Sequence, residues 1–372
     1  MIQMCNDQRK CSTLPSEFLT CSAKFAGAQY PGFGRHQSHA LTDNEYCRYK
    51  EQGSGDALPE LTVTFDPLNT VNTHSKSGNF ILLHLIVFIW GWTAILGKAI
   101  DLPALQLVWL RLPIALGGIF LFLVLRRQSF VTSLKNLGIY FSIGLIVALH
   151  WIAFYAAIKE SNVSVTLACF STGSLFSAFI EPLFFKRKIR MYEIVFGLMV
   201  VAALVMIFRV ETQYTWGIIL GILAALTSSM FGVFNAMLVR GGHNGSLVSL
   251  YEMTGGFVGM SIYVLIFRPW EGGLFTMTSD DLWLLLLLGL LCTSVPFLIS
   301  LHVLKTISPY TVSLTLNLET LYGIVFAYFI FHEDKQLTGY FYIGSAIILS
   351  TIFLNAWIKF REQKKERLAL RG

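Results

Sequence analysis

The chain has 372 residues, of which 54% are hydrophobic and 13% are charged, and its formal net charge is +6 at pH 7. Soluble domains carry about 25% charged residues, so the composition excludes an ordinary soluble protein and indicates a chain solvated by lipid. The basic residues lie mostly at the ends of apolar runs, which is typical of membrane proteins and does not indicate a nucleic-acid partner.

The first segment of the chain, residues 1–76, is polar and has no hydrophobic periodicity. Such a segment cannot bury enough apolar surface to fold alone, so we expect a disordered tail. It also lacks the basic start and apolar core of a signal peptide. Two interpretations remain open: an ordinary disordered extension, or non-coding sequence read upstream of a true start near Leu68 or Val71.

From residue 79 onward, apolar segments alternate with short polar breaks, and each is long enough to cross about 30 Å of hydrocarbon. We therefore predict an all-α polytopic membrane protein of about ten helices. The predicted segments are 80–98, 104–125, 136–157, 163–185, 191–209, 215–239, 246–267, 282–304, 309–331 and 338–358.

Lysine and arginine are unevenly distributed between alternate breaks. With the N-terminus inside, the inner breaks hold runs such as Arg126-Arg127 and Lys186-Arg187-Lys188, and residues 359–372 form a basic tail. The outer breaks hold isolated residues such as Lys98 and Lys159. The positive-inside rule therefore predicts that both termini are cytoplasmic.

The two halves of the apolar region resemble each other. Residues 154–185 align with 300–331, and residues 89–98 align with 230–239, with Gly91 on Gly232. Each half, 77–210 and 211–358, holds five predicted spans, and an odd number makes the second half insert upside down. Inverted repeats are typical of alternating-access carriers, whose site lies at the midplane between the halves.

Polar residues inside the spans are the best candidates for a site, because a charge at the bilayer centre costs about 3 kcal/mol on insertion scales. Glu319 lies near the midplane, between Asn317 and Tyr322, where it could bind a cationic substrate or carry a proton. The alternative is a protonated carboxyl that packs between helices.

Three further charged residues are predicted to be gate or ion-pair residues. Arg111 and Glu252 occupy matching positions in the two halves, so the inverted repeat puts them at opposite depths, as entrance residues or as residues that snorkel to the interface. Glu181 precedes Pro182 and lies about one turn from Lys186, which favours an interfacial ion pair.

Aromatic residues and one histidine complete the candidate cavity lining. An apolar pocket with a few polar groups is the usual form of a small-molecule site, although aromatic residues at helical spacing often only pack. The candidates are His150, Trp151, Tyr155, Trp90, Trp109 and Tyr251.

The six cysteines show no CxxC or Cys/His spacing, so neither a metal site nor structural disulfides are predicted. No cofactor is predicted. The chain also lacks a Walker A motif, which argues against ATP as the driving force.

Several motifs together resemble the EamA-type transporters of the drug/metabolite transporter superfamily, in particular their bacterial, Bacteroidetes-like members. These motifs are WGW at 90–92, WLR at 109–111, HWIAFYAAIKESNVS from His150, STGSLFSAFIEPLFFKRKI from Ser171 and NLETLYGIVFAYFIF from Asn317. The resemblance implies a ten-helix carrier with a central cavity that exports a small metabolite or amino-acid-like solute across the inner membrane.

The sequence therefore predicts a secondary carrier, with the lipid bilayer and a small-molecule substrate as partners and protons as a candidate coupling ion. A non-transporting membrane scaffold or sensor is the alternative, and an intramembrane lipid-modifying enzyme is a weaker one. The candidate residues are scattered over several helices, whereas an enzyme would need them clustered near one face. The substrate and the oligomeric state do not follow from the sequence.

Overall fold

The computed structural model describes residues 39–42, 45–47, 73–186, 191–210, 212–267, 277–333 and 338–369. The chain divides into two compact units, Met1–Ser75 and Lys76–Gly372. In the first, β1 (His39–Thr42) pairs with β2 (Glu45–Cys47) in an antiparallel hairpin that was not predicted. The rest of the predicted tail lies outside the described residues.

The second unit is helical. Its helices are α1 (Thr73–Ala99), α2 (Ala104–Leu125), α3 (Leu134–Glu160), α4 (Val163–Phe170), α5 (Gly173–Phe185), α6 (Met191–Val210), α7 (Thr215–Arg240), α8 (Gly245–Phe267), α9 (Ser279–Leu286), α10 (Val295–Leu304), α11 (Pro309–Phe331) and α12 (Gly339–Ala369). Within the described residues, 8 helical spans are long and apolar enough to cross a membrane. The helices α6 and α12 coincide with the other two predicted segments, and α12 continues through most of the predicted basic tail.

Two of the predicted spans are interrupted helices. In the first, α4 and α5 are separated at Ser171 and Thr172, whose hydroxyls donate to the carbonyls of Ala168 and Cys169 in the preceding turn. Such side-chain bonds compete with the regular helix ladder. The predicted segment 163–185 is confirmed as one apolar span, Val163–Phe185, and it consists of two consecutive helices.

In the second interrupted span, α9 and α10 are joined by a π-helical segment, Leu287–Ser294. Thr293 and Ser294 donate from their hydroxyls to carbonyls five residues earlier, those of Leu288 and Gly289. Pro296 follows and has no N–H to continue the ladder. Wide turns of this kind occur frequently at functional sites.

The helices pack with an approximate two-fold relationship between the halves. Corresponding helices pair with each other, as α2 does with α8, α6 with α12, and α4 and α5 with α11. The packing of α3 on α8 has its counterpart in the packing of the π-helical segment on α2. These pairings are those expected of two related five-helix repeats.

The ends of the fourth span in each half also correspond. The side chains of Asn162 and Ser308 accept from the N–H three residues later and cap α4 and α11 respectively. These spans end at Lys186 and His332, which both have left-handed backbone, with φ of 52° and 51°. The spacing along the chain is the same for both pairs, from 162 to 308 and from 186 to 332.

Small residues let α3 and α8 approach closely. A Cβ on Gly144 would collide with the backbone carbonyl of Glu252, and one on Gly255 would collide with the backbone of Phe141. Helices in lipid associate through such small-residue contacts because hydrophobic burial gives them little driving force.

Candidate functional site

A cavity lies inside the helical unit, and both halves of the chain form its wall. The first half contributes residues from α1 to α4, and the second half contributes residues from α7, α10 and α11. The lining residues include Trp90, Arg111, His150, Trp151, Phe154, Tyr155, Ser228, Asn235 and Glu319. The wall is largely apolar, with several aromatic rings, and carries both a buried cation and a buried carboxyl group.

Arg111 is the cation, and its guanidinium is held from three directions. Its side chain is 2% exposed. Nε donates to the Thr293 hydroxyl at 2.6 Å, and Nη1 donates to the Tyr155 hydroxyl at 2.6 Å. The guanidinium carbon also lies 4.3 Å from the centroid of the Trp151 ring, a distance at which a cation is attracted to the aromatic face.

The π-helical segment explains how Arg111 acquires one of these partners. The Thr293 hydroxyl donates to the Leu288 carbonyl at 2.6 Å, which leaves its oxygen lone pairs facing Arg111. A hydroxyl has one hydrogen and two acceptor positions, so the two bonds are compatible. The wide turn thereby positions an acceptor for a cation that lies on another helix.

Glu319 is the carboxyl group of the cavity wall, and it is 4% exposed. Among the described residues, its carboxylate has no hydrogen-bond donor. It lies close enough to Arg111 for the two charges to interact. A carboxyl at a cavity wall without a protein donor is suited to bind a ligand N–H or a proton.

The imidazole of His150 lies on the cavity wall, close to several phenylalanine rings. Its Nδ1 lies 2.9 Å from the Ala224 carbonyl oxygen. Because a carbonyl only accepts, Nδ1 carries the hydrogen, and Nε2 is an acceptor when the ring is neutral. The ring centroid lies 5.6 Å from that of Phe170 and 5.4 Å from that of Phe231.

Asn235 connects the cavity wall to a second buried carboxyl group. Its Nδ2 donates to Glu252 Oε2 at 3.2 Å, and Glu252 is 0% exposed. The other oxygens of the pair, Asn235 Oδ1 and Glu252 Oε1, have no partner among the described residues.

The structure places five predicted cavity residues on the cavity wall: Glu319, His150, Trp151, Tyr155 and Trp90. Arg111, which we expected as an entrance residue, also lies on this wall. Asn317 lines a small side pocket that shares Ser313 and Leu316 with the cavity.

The remaining candidates make packing contacts away from the cavity lining. The Trp109 indole N–H donates to Ser261 at 3.0 Å, and the Tyr251 hydroxyl donates to the Phe130 carbonyl at 2.7 Å. Tyr322 packs against Gly91. Glu181 accepts the backbone N–H of Tyr310 at 2.7 Å, a contact with the start of α11 that the predicted ion pair with Lys186 did not include.

The sequence reasoning missed Asn235 and Thr293, which hold Glu252 and Arg111 respectively. Asn235 stands alone as an amide in the apolar run of α7, and that pattern was sufficient to select it. Thr293 had no comparable signal, because a hydroxyl in a membrane helix usually bonds its own backbone. Within the described ranges, no group of three or more His, Cys, Asp or Glu side chains is placed to hold a metal ion.

Comparison with known proteins shows which proteins this chain resembles. The model of the EamA-like transporter family matches the chain twice, over residues 78–209 and 215–357. The uncharacterized transporter YoaV of Bacillus subtilis (strain 168) is 23% identical over 282 residues, which cover 73% of this chain and 94% of that protein. A solved crystal structure superposes with a TM-score of 0.56 at 12% identity, covering 74% of this chain and 96% of that one, and shows likeness of fold.

Proposed function

Because this chain belongs to the EamA-like transporter family, we propose that it is a secondary carrier that moves a small amino-acid-like solute by alternating access. The observation that carries the proposal is the cavity between the halves, with Arg111 and Glu319 on its wall. The matches to a transporter family and a transporter-named relative support transport over catalysis.

The chemistry of the wall favours a zwitterion with an apolar body. The guanidinium of Arg111 suits a carboxylate, and the carboxylate of Glu319 suits an ammonium group. The rings of Trp90, Trp151 and Phe154 offer apolar surface for the rest of the solute. A solute that carries both charges would satisfy both groups without leaving either one unpaired.

The proposed setting is the bacterial inner membrane, with both termini cytoplasmic and the solute exported. The distribution of lysine and arginine between the breaks supports this orientation. Protons are the candidate coupling ion, since Glu319 could exchange a proton for the substrate ammonium group. An imposed pH gradient that does not change the initial rate of transport would argue against proton coupling.

The test is counterflow in proteoliposomes that contain the full chain, with a panel of amino acids as substrates. For each amino acid taken up, the panel adds its amide, which lacks the carboxylate, and its decarboxylated amine. We expect uptake of the amino acid alone by the wild type, and at least a tenfold loss in Glu319→Gln. Glu160→Gln, an exposed carboxyl at the end of α3, is the matched control and should transport normally.

Uptake that is the same for the amino acid, its amide and its amine would contradict the zwitterion as the substrate class. Uptake of no compound in the panel, by protein that elutes as a folded species, would contradict the carrier function for this substrate class and favour the scaffold or sensor. Equal uptake by wild type and Glu319→Gln would preserve the carrier and restrict Glu319 to packing.

A further inference from the structure

A buried carboxylate lies just after the end of α11 and binds the start of α4. Glu333 is 1% exposed and accepts the N–H of Val163 at 3.0 Å and the N–H of Ser164 at 2.9 Å. Lys98, near the end of α1, donates to Glu333 at 2.6 Å and lies 4.7 Å from the centroid of the Phe331 ring. We call these five residues the Glu333 clasp.

A second set of contacts binds the start of α11. Glu181, in α5, accepts the N–H of Tyr310 at 2.7 Å. Arg240, at the end of α7, interacts electrostatically with Glu181 and lies 5.2 Å from the centroid of the Phe185 ring. Its guanidinium also donates to the backbone carbonyls of Leu304, the last residue of α10, and of Ile307, in the break that follows. We call Glu181, Tyr310, Arg240 and Phe185 the Glu181 clasp.

The two clasps correspond under the repeat. Ser164 and Tyr310 occupy equivalent positions in the first turns of α4 and α11, and Phe185 and Phe331 are the last residues of equivalent spans. Each cation stands at the end of the first span of its half. The two carboxylates do not occupy equivalent positions. The position equivalent to Glu333 in the first half is Arg187, and the carboxylate of the other clasp, Glu181, lies within α5. In each clasp a carboxylate binds the first turn of a helix, where the unpaired N–H groups and the helix dipole favour a negative charge.

The clasps lie at opposite ends of the helices that form the cavity. The helix α11 begins in one clasp, at Tyr310, and ends in the other, at Phe331. At 1.5 Å per residue this separation is about 30 Å, which is the thickness of the hydrocarbon layer. Glu319 lies between the two ends. The cavity therefore has one clasp on each side of it along the helix axes, and both clasps are closed in this structure.

We propose that the two clasps are the gates of the carrier, and that each opens only while the other is closed. The proposal rests on the carrier function proposed above. Opening at one face requires the end of one half's fourth span to leave the start of the opposite half's fourth span, which breaks one set of carboxylate bonds. The bonds of the other clasp then hold the remaining face closed. Glu333 and Glu181 are positioning residues that act through the helix starts they bind.

The test measures access to the cavity from each face, and it needs no substrate. A cysteine is placed at Ser228, on the cavity wall, in a chain whose native cysteines are replaced. Its labelling rate by a membrane-impermeant maleimide is measured in right-side-out and in inverted membrane vesicles. We expect Glu333→Gln to raise the rate from one face at least threefold, and Glu181→Gln to raise it from the opposite face by a similar factor.

The decisive result is that the two variants raise the labelling rate from opposite faces of the membrane. This result can be read without knowing which face is outside. Equal effects on the same face, or unchanged rates in both variants, would overturn the proposal. Glu160→Gln should leave both rates unchanged. If Glu333→Gln does not fold, Lys98→Gln tests the same clasp, since it keeps the bonds of Glu333 to Val163 and Ser164.

The result is separable from the carrier function. If the wild type transports no compound but the two variants show opposite labelling preferences, the proposed gates stand and the proposed carrier function is refuted. If both variants transport normally and neither changes the labelling rate, the carrier function stands and the proposed gates are refuted.

Discussion

Arg111 and Tyr155 join α2 to α3 through a hydrogen bond of 2.6 Å from guanidinium Nη1 to the phenol oxygen. Both residues lie on the cavity wall, and both are at most 2% exposed. The bond therefore fixes the orientation of the cavity's cation, with Thr293 and the Trp151 ring as the other supports. The first prediction follows from this bond.

We expect Tyr155→Phe to weaken apparent substrate affinity about tenfold while leaving the protein folded. A hydrogen bond to a charged group contributes about 1.5–3 kcal/mol, and its loss frees the guanidinium to leave its orientation. The measurement is the counterflow rate as a function of substrate concentration, which gives the half-saturating concentration separately from the maximal rate. Tyr328→Phe, at an exposed ring of α11, is the matched control and should match the wild type. An unchanged half-saturation in Tyr155→Phe would contradict the positioning role.

The second prediction concerns Thr293. We expect Thr293→Val to lower transport, because valine has the same shape and offers no acceptor to Arg111 Nε. The substitution also removes the hydrogen bond from the hydroxyl to the Leu288 carbonyl, so it tests the contribution of the π-helical segment as well. Thr293→Ser keeps both bonds and should restore transport. If the valine variant transports like the wild type, the wide turn is not needed to hold Arg111.

The third prediction concerns the buried pair of Asn235 and Glu252. We expect Glu252→Ala to lower the free energy of unfolding by about 2–3 kcal/mol, because it leaves the Asn235 amide without its acceptor and opens a void. Glu252→Gln keeps the shape and an acceptor and should lower it by less. Thermal unfolding in detergent measures both effects. Equal stability of the alanine and wild-type proteins would mean that the pair does not stabilise the contact between α7 and α8.

The fourth prediction tests the close approach of α3 and α8. We expect Gly144→Ala to lower the free energy of unfolding by about 1–3 kcal/mol, which is the usual range for overpacking, because its Cβ would collide with the Glu252 carbonyl. Gly138→Ala, on the same helix, meets nothing within 4 Å and should be neutral or slightly stabilising. The comparison by thermal unfolding separates a steric effect from helix propensity. Equal shifts in both variants would refute the steric explanation.

The predicted segments match the helical spans because lipid leaves a backbone no other way to satisfy its N–H and C=O groups. The start of α11 at Ser308-Pro309 was readable for a local reason, since its cap and its proline act within one turn. The breaks at Ser171 and within Leu287–Ser294 were not readable, because the same hydroxyls are tolerated in continuous membrane helices. The wide turn has an observable role here only because Thr293 meets Arg111 from another helix.

Sequence analysis alone identifies a repeated bundle of membrane helices, and it identifies the ionisable residues within the spans because a charge in lipid is costly. Which side of each helix faces the cavity is known only once the helices are packed together. Trp151 lies on the cavity wall while Trp109 binds Ser261, and Arg111 proved to be a wall residue. Lipid and the protein interior are equally apolar, so hydrophobic periodicity does not distinguish the faces of a membrane helix. The contacts between helices from opposite halves therefore determine which residues form the site.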